Sequence, residues 1–205
     1  MRAASLRRSG DSPCRNVFVD RSENDSLLWL SGLGGHAMIT TIGYERATLD
    51  DFIATLQISE IEVLVDVRDR AQSRRPGFSK GALSQALHEA GISYLHLPRL
   101  GDPKEGREAA RRGDYDKFRE IFAGVLASNE AKIAIKELEE LAAESRICLM
   151  CFERDQLTCH RKIVSDLLDN LLGGKTKHLG VQEGAAKRPS VRRMSGAHQS
   201  AAAPI

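Results

Sequence analysis

No apolar run in this 205-residue chain approaches the roughly 18 residues a membrane-spanning helix requires. The nearest patch, SLLWLSGLGGHA, is short, interrupted and preceded by acidic residues, so it does not read as a signal peptide. There is no internal repeat, and the one Cys-x-x-Cys spacing, Cys148-Leu149-Met150-Cys151, falls inside the apolar strand run RICLMCF. A phosphatase-type loop places Arg six positions after Cys, but counting from Cys151 that position is Leu157. Cysteines are few: Cys14, Cys148, Cys151 and Cys159, three of them in one segment. That distribution excludes the disulfide framework of a small secreted domain, and a reducing cytoplasm is the expected compartment.

What is present belongs to an ordinary globular chain, with 41% hydrophobic and 28% charged residues. The length suits one well-buried domain with extensions. The formal charge of +2 hides a division. Residues 1–37 carry five Arg against four acidic residues, and residues 173–205 carry six Lys/Arg against one Glu, leaving 38–172 slightly acidic. A nucleic-acid-coating surface over the whole body is therefore disfavoured, while a local basic pocket stays open.

Periodicity is absent before residue 38, where MITTIGY begins a β-branched run ending at Gly43. The expectation is that Met38 is the biological start, or that 1–37 is a disordered extension. Residues 38–172 read as a single α/β domain, and 173–205, rich in Gly, Ala, Ser and basic residues, as a basic disordered tail. Within the domain, Thr48 with Asp51 starts a helix bearing Leu49, Phe52, Ile53 and Leu56 on one face. VLVDVR is a second strand. Ser79 caps a helix closed by Gly91, and ISYLHLP is a third strand. Two helical patterns follow, over Tyr115–Leu126 and Ile135–Leu141, then the strand RICLMCF and a helix reaching Leu172. Continuous apolar strands alternating with amphipathic helices predict a three-layer α/β sandwich around a mainly parallel sheet of about four to five strands.

In such folds ligands bind beyond the carboxyl ends of the strands. The residues placed there are Gly43 with Tyr44, Arg68 and its loop, His96, and the Cys151–Glu153 segment. The loop DVRDRAQSRRPGFSKGAL gathers Arg68, Ser73, Arg74, Phe78, Ser79 and Lys80 before a helix N-terminus. Free N–H groups and guanidiniums together suit phosphate or carboxylate, although a solvated basic loop has the same composition. Asp66 lies inside a strand, where a carboxylate needs a partner, and Arg68 two residues on is the expected one.

The segment MCFERDQLTCHR is the densest in chemistry. With Thr158 as the cap, Cys159, His160 and Arg161 occupy the first helical turn, and Cys159 and His160 head the rows that pack on the sheet. A helix N-terminus and nearby cations acidify a thiol, so Cys159 reads as a nucleophile or acid, with His160 and Glu153 assisting and Cys151 beside them. The bland alternative is a buried cysteine and a hydrogen-bonded core histidine. A metal is the weaker expectation: Cys151-x7-Cys159 lacks paired zinc spacing, and adjacent helical residues diverge by about 100°. No metal and no cofactor are expected. Cys148, in mid-strand, reads as core.

The series TIGY, LVDVRDRAQSRRPGFSK, GISYLHLPRLGDPKEGR and CLMCFERDQLTCHR, running in order from about Thr40 to Leu168, resembles the bacterial and archaeal family called domain of unknown function 488. Ala71 departs from it, since many relatives have proline there. The resemblance implies a compact α/β domain and no established activity. The functional expectation is an enzyme-like, anion-binding pocket, with Arg68, Ser73, Arg74, Ser79, Lys80 and Arg161 toward the anion and Cys151, Glu153, Cys159 and His160 toward chemistry. The ligand would be a nucleotide, a phosphorylated metabolite or a nucleic-acid end. The alternatives are a non-catalytic nucleic-acid-binding module and a thiol- or metal-dependent protein.

Overall fold

In the computed structural model, residues 39–187 are described. The expectations for 1–37, and for Met38 as a start, lie outside them. The strands are β1 (Thr40–Gly43), β2 (Val63–Asp66), β3 (Ser93–His96), β4 (Ile147–Cys151) and β5 (Lys177–Leu179). The helices are α1 (Leu49–Ile58), α2 (Lys80–Glu89), α3 (Lys104–Arg111), α4 (Tyr115–Ala127), α5 (Asn129–Glu144) and α6 (His160–Leu172). All strand pairs are parallel, in the order β3-β2-β4-β1-β5.

The two central strands β2 and β4 form because their residues are apolar on both faces, and β4 is buried along its whole length. On one side, Ile42, Leu64, Cys148 and Met150 pack with Phe52 and Leu56 of α1 and Leu83 and Leu87 of α2. On the other, Val65, Val67, Ile147 and Leu149 pack under α3 to α6 through Ala109, Phe122, Leu138 and Leu168. This is the three-layer sandwich read from the sequence.

Local signals behave as their chemistry dictates, with instructive exceptions. Thr48 accepts the N–H of Asp51 as the α1 cap, but the Asp51 carboxylate accepts from Ala186 instead of closing a reciprocal box. Gly91 sits at φ +75°, the left-handed turn that ends α2. Helix α3, absent from the periodicity reading, is short and polar and buries only Gly106 and Ala109.

The reading of 173–205 as a disordered tail is corrected over 173–187. Strand β5 pairs with β1, Leu179 and Val181 pack against the α1/α2 layer, and a 3-10 turn at Ala185–Lys187 follows. The backbone of β1 offers a free edge, and a three-residue strand needs no apolar pattern to take it. Residues 188–205 lie outside the described residues. Among the described residues no helix is long and apolar enough to cross a membrane.

Candidate functional site

The loops after β1 and β2 lead to helices on one face, and the loop after β4 leads to α6 on the other. Their divergence opens a crevice at the strand carboxyl ends. A cavity of about 1070 Å³ lies there, walled by the loops after β1, β2 and β4 and by α3.

Two groups flank the crest of the sheet. On the α1/α2 side, Asp66 and Arg68 make a bidentate pair, with Nε to Oδ1 at 2.8 Å and a second guanidinium nitrogen to Oδ2 at 2.6 Å. The same guanidinium donates to the Tyr44 hydroxyl at 2.7 Å and the Phe78 carbonyl at 3.0 Å. Tyr94 donates its hydroxyl to Asp66 at 2.7 Å. The tyrosine's own pKa is raised by burial and by the Asp66 charge, so it stays a donor. Tyr44 and Phe78 stack at 4.4 Å, covering the pair. His96 bonds the Arg68 carbonyl at 2.9 Å.

On the α4/α6 side lies the cluster of Cys151, Glu153, Cys159 and His160. Glu153 Oε2 is 3.0 Å from Cys151 Sγ and 3.1 Å from Cys159 Sγ. His160 Nδ1 is 3.7 and 3.9 Å from the same two sulfurs. The other ring nitrogen, Nε2, is 2.8 Å from the Val67 carbonyl oxygen. A carbonyl only accepts, so Nε2 carries a proton, and Nδ1 is the ring nitrogen that faces the two sulfurs.

Two glycines permit this packing. A Cβ on Gly43 would lie 1.8 Å from the Glu153 carbonyl oxygen, so only glycine lets the β4–α6 loop cross the end of β1. A Cβ on Gly101 would lie 2.2 Å from the Asp69 nitrogen, which seats Asp102 beside the β2 loop. Arg161 clamps the β4–α6 loop from inside, donating to the carbonyls of Glu153 and Arg154.

Burial sets the electrostatics. It pushes the Glu153 carboxyl up to about 7, helped by the charge of Cys159. It pushes Asp102, whose Oδ1 has no hydrogen-bond partner, up to about 6. Burial opposes ionisation of Cys159 too, but the Cys151 hydrogen bond and the His160 charge hold that thiol well below its ordinary value. Cys151 is pushed up by burial and by Cys159, so the pair carries its negative charge on Cys159. For His160 burial works downward, and the Cys159 charge and the Val67 bond raise it to about 9. Cys148, fully buried, is pushed to about 12 and is core, as its mid-strand position indicated.

The sequence-expected residues divide. Cys151, Glu153, Cys159, His160, Tyr44, Ser73 and Arg74 line the cavity. Arg68 reaches it, but its guanidinium is engaged by Asp66, Tyr44 and Phe78, and Arg161 is buried on backbone carbonyls. Both guanidiniums are thus engaged with protein groups, unlike those of Arg74 and Arg111 in the cavity lining. Ser79 and Lys80 do not line the cavity, and the Lys80 N–H is bonded to the Ala71 carbonyl at 2.8 Å. Phe78 and His96 support the Asp66–Arg68 group from outside the lining, and Gly43 acts through the Glu153 loop.

One geometric premise also fails. Cys159 is the cap of α6, extended at φ −126° and ψ 140°, not a member of its first turn. The 100° divergence of helical neighbours therefore does not apply, and both its sulfur and His160 Nδ1 face the same point. The four donor atoms lie within 4.8 Å of one another. Sequence reasoning missed Asp102, Arg107, Arg111 and Tyr115 in the lining. The signal for the first was Gly101-Asp102-Pro103 ahead of a helix. The arginines of α3 gave none, because the helix itself was not foreseen.

A family model described as Domain of unknown function DUF488 matches residues 48–168. No curated protein and no solved structure matches the chain.

Proposed function

The chain belongs to the family Domain of unknown function DUF488, and from that starting point we propose an enzyme-like domain whose crevice binds a phosphate-bearing ligand of nucleotide type. The observation that carries this reading is a contrast among the six arginines lining the cavity. Arg68 is paired with Asp66, Arg70 and Arg107 approach Asp69 at 4.0 and 3.2 Å, and Arg75 donates to the Ala47 carbonyl. Arg74 and Arg111, from two different elements, are exposed and have no partner among the described residues. Two unpaired guanidiniums over a crevice at a topological switch point suit a phosphate group.

Two aromatics support a flat group on the same ligand. Phe152 is 41% exposed and Tyr115 36%, and both line the cavity. An exposed ring beside guanidiniums suits base stacking, which contributes about 1–3 kcal/mol per base. Phosphate at the arginines and base at the rings would leave the remainder of the ligand over the Cys151–His160 floor.

Calorimetric titration with a nucleoside monophosphate, a sugar phosphate, inorganic phosphate and a short 5′-phosphorylated oligonucleotide tests this. The nucleotide is expected to bind tightest. The double variant Arg74→Ala/Arg111→Ala should weaken it at least about tenfold, as expected for loss of charge-assisted hydrogen bonds of about 1.5–3 kcal/mol each. Phe152→Ala should weaken the nucleotide and leave inorganic phosphate unchanged. Unchanged nucleotide affinity in the double variant refutes the site. Binding confined to the oligonucleotide, with a steep salt dependence, favours a nucleic-acid-binding module instead.

A further inference from the structure

We infer that Cys151, Glu153, Cys159 and His160 are the ligands of a single divalent transition-metal ion, Zn²⁺ by their donor chemistry. The inference deepens the role of the same crevice without resting on its arginines.

The first argument is geometric. Zinc bonds of about 2.3 Å to sulfur and about 2.0–2.2 Å to nitrogen or oxygen give a tetrahedron whose edges are roughly 3.4–3.8 Å. The sulfur–oxygen separations here are 3.0 and 3.1 Å, and the sulfur–nitrogen separations 3.7 and 3.9 Å. Those four edges match after shifts of a few tenths of an ångström, and the remaining two donor separations lie within 4.8 Å.

The second argument is orientation. His160 donates Nε2–H to the Val67 carbonyl at 2.8 Å, so Nδ1 is the ring nitrogen turned toward the sulfurs. An outer hydrogen bond from the far ring nitrogen is the usual support of a metal-bound imidazole. The third is rigidity. Cys151 ends a central strand, Cys159 and His160 begin a helix, and Gly43 and Arg161 hold the loop between them. The donors are thus presented by fixed backbone.

The donor set then selects the ion. Two sulfurs and an imidazole disfavour Mg²⁺ and Ca²⁺, which take oxygen ligands, and suit Zn²⁺. On binding, the coordinated thiols, the carboxyl and the His160 Nδ1 release whatever protons they carry to solvent. No change of oxidation state is involved.

The test uses the full chain purified under reductant and without chelator. Elemental analysis is expected to find about one Zn²⁺ per chain, either as isolated or after reconstitution. Replacement by Co²⁺ should give a thiolate-to-metal charge-transfer band and the intense visible bands of a tetrahedral site. Peptide mapping of alkylated wild-type protein should find Cys151 and Cys159 protected until a chelator is added, a readout that needs no variant to fold. Cys159→Ser should lose the charge-transfer intensity of one thiolate.

Only trace metal after reconstitution overturns the inference. So does a cobalt spectrum without thiolate charge transfer, or a Cys151–Cys159 disulfide in protein kept under reductant. The variant Arg74→Ala/Arg111→Ala is expected to keep its metal, so failure of the nucleotide site and failure of the metal site are read separately.

Discussion

The two sides of the sheet's carboxyl edge hold similar residue types with opposite fates. On the α1/α2 side, Asp66 and Arg68 meet in a pair closed by Tyr44, Phe78 and Tyr94. On the α4/α6 side, a carboxylate, an imidazole and two thiols converge without any cation fully paired to them, and they line an open crevice. The difference teaches where to look for chemistry. Buried charge that has every partner it needs holds the fold, and buried charge left incompletely matched is available to a ligand.

The largest expected effect is on the closed side. Arg68→Ala leaves Asp66 without its cation and strips a donor from Tyr44 and the Phe78 carbonyl, so it should destabilise the domain by about 3–5 kcal/mol. Denaturant unfolding measures this, and a loss below about 1 kcal/mol would place Arg68 with the functional arginines after all. Next comes the hinge between the two sides. In Gly43→Ala the new methyl meets the Glu153 carbonyl, 1.8 Å from the ideal Cβ. The variant should lose about 1–3 kcal/mol from overpacking together with its stoichiometric zinc, and retention of full metal content would show that the loop moves independently of Glu153.

A smaller effect is expected at Asp102 on the open side. Its folded pKa of about 6 lies above the ordinary 3.8, so the folded state holds a proton the unfolded chain has released. Stability therefore falls as pH rises from 3.8 through about 6, and stays lowered above that. Asp102→Asn should remove this slope, gaining on the wild type toward neutral pH and converging with it in acid. Parallel unfolding curves across that window would contradict a carboxyl raised by burial with its Oδ1 lacking a hydrogen-bond partner. The smallest effect is at Arg74. As an exposed, unpaired residue its change to Ala should alter stability by no more than about 0.5 kcal/mol, yet it should weaken nucleotide binding. A ligand affinity as unmoved as the stability would make Arg74 an ordinary solvated arginine.

Much of the fold is legible in the residues themselves. β-branched and apolar runs mark β1, β2 and β4, Thr48 and Gly91 punctuate helices, and the alternation announces a covered parallel sheet. Helix α3 and strand β5 escape such reading for a shared reason. Each is short and little buried in itself, and each is held by what it packs against, β5 by the β1 backbone and α3 chiefly by α4. The same holds for the arginines. Arg68, Arg74 and Arg161 look alike in a basic stretch, and only their neighbours separate a buried strut from an exposed donor.

By itself, the sequence determined that this is an α/β domain and that Cys151, Cys159, His160 and the basic loop stand at one edge of its sheet. Strand phase and cap chemistry are local, and they act within a few residues. The tertiary structure alone decided that Cys159 turns out of the helix to meet Cys151, and that His160 finds the carbonyl of Val67, 93 positions away. It also decided that Arg68 is closed off while Arg74 and Arg111 face the crevice. Partners so distant in the chain are chosen by how layers pack, and packing is where a cluster of reactive residues becomes a site.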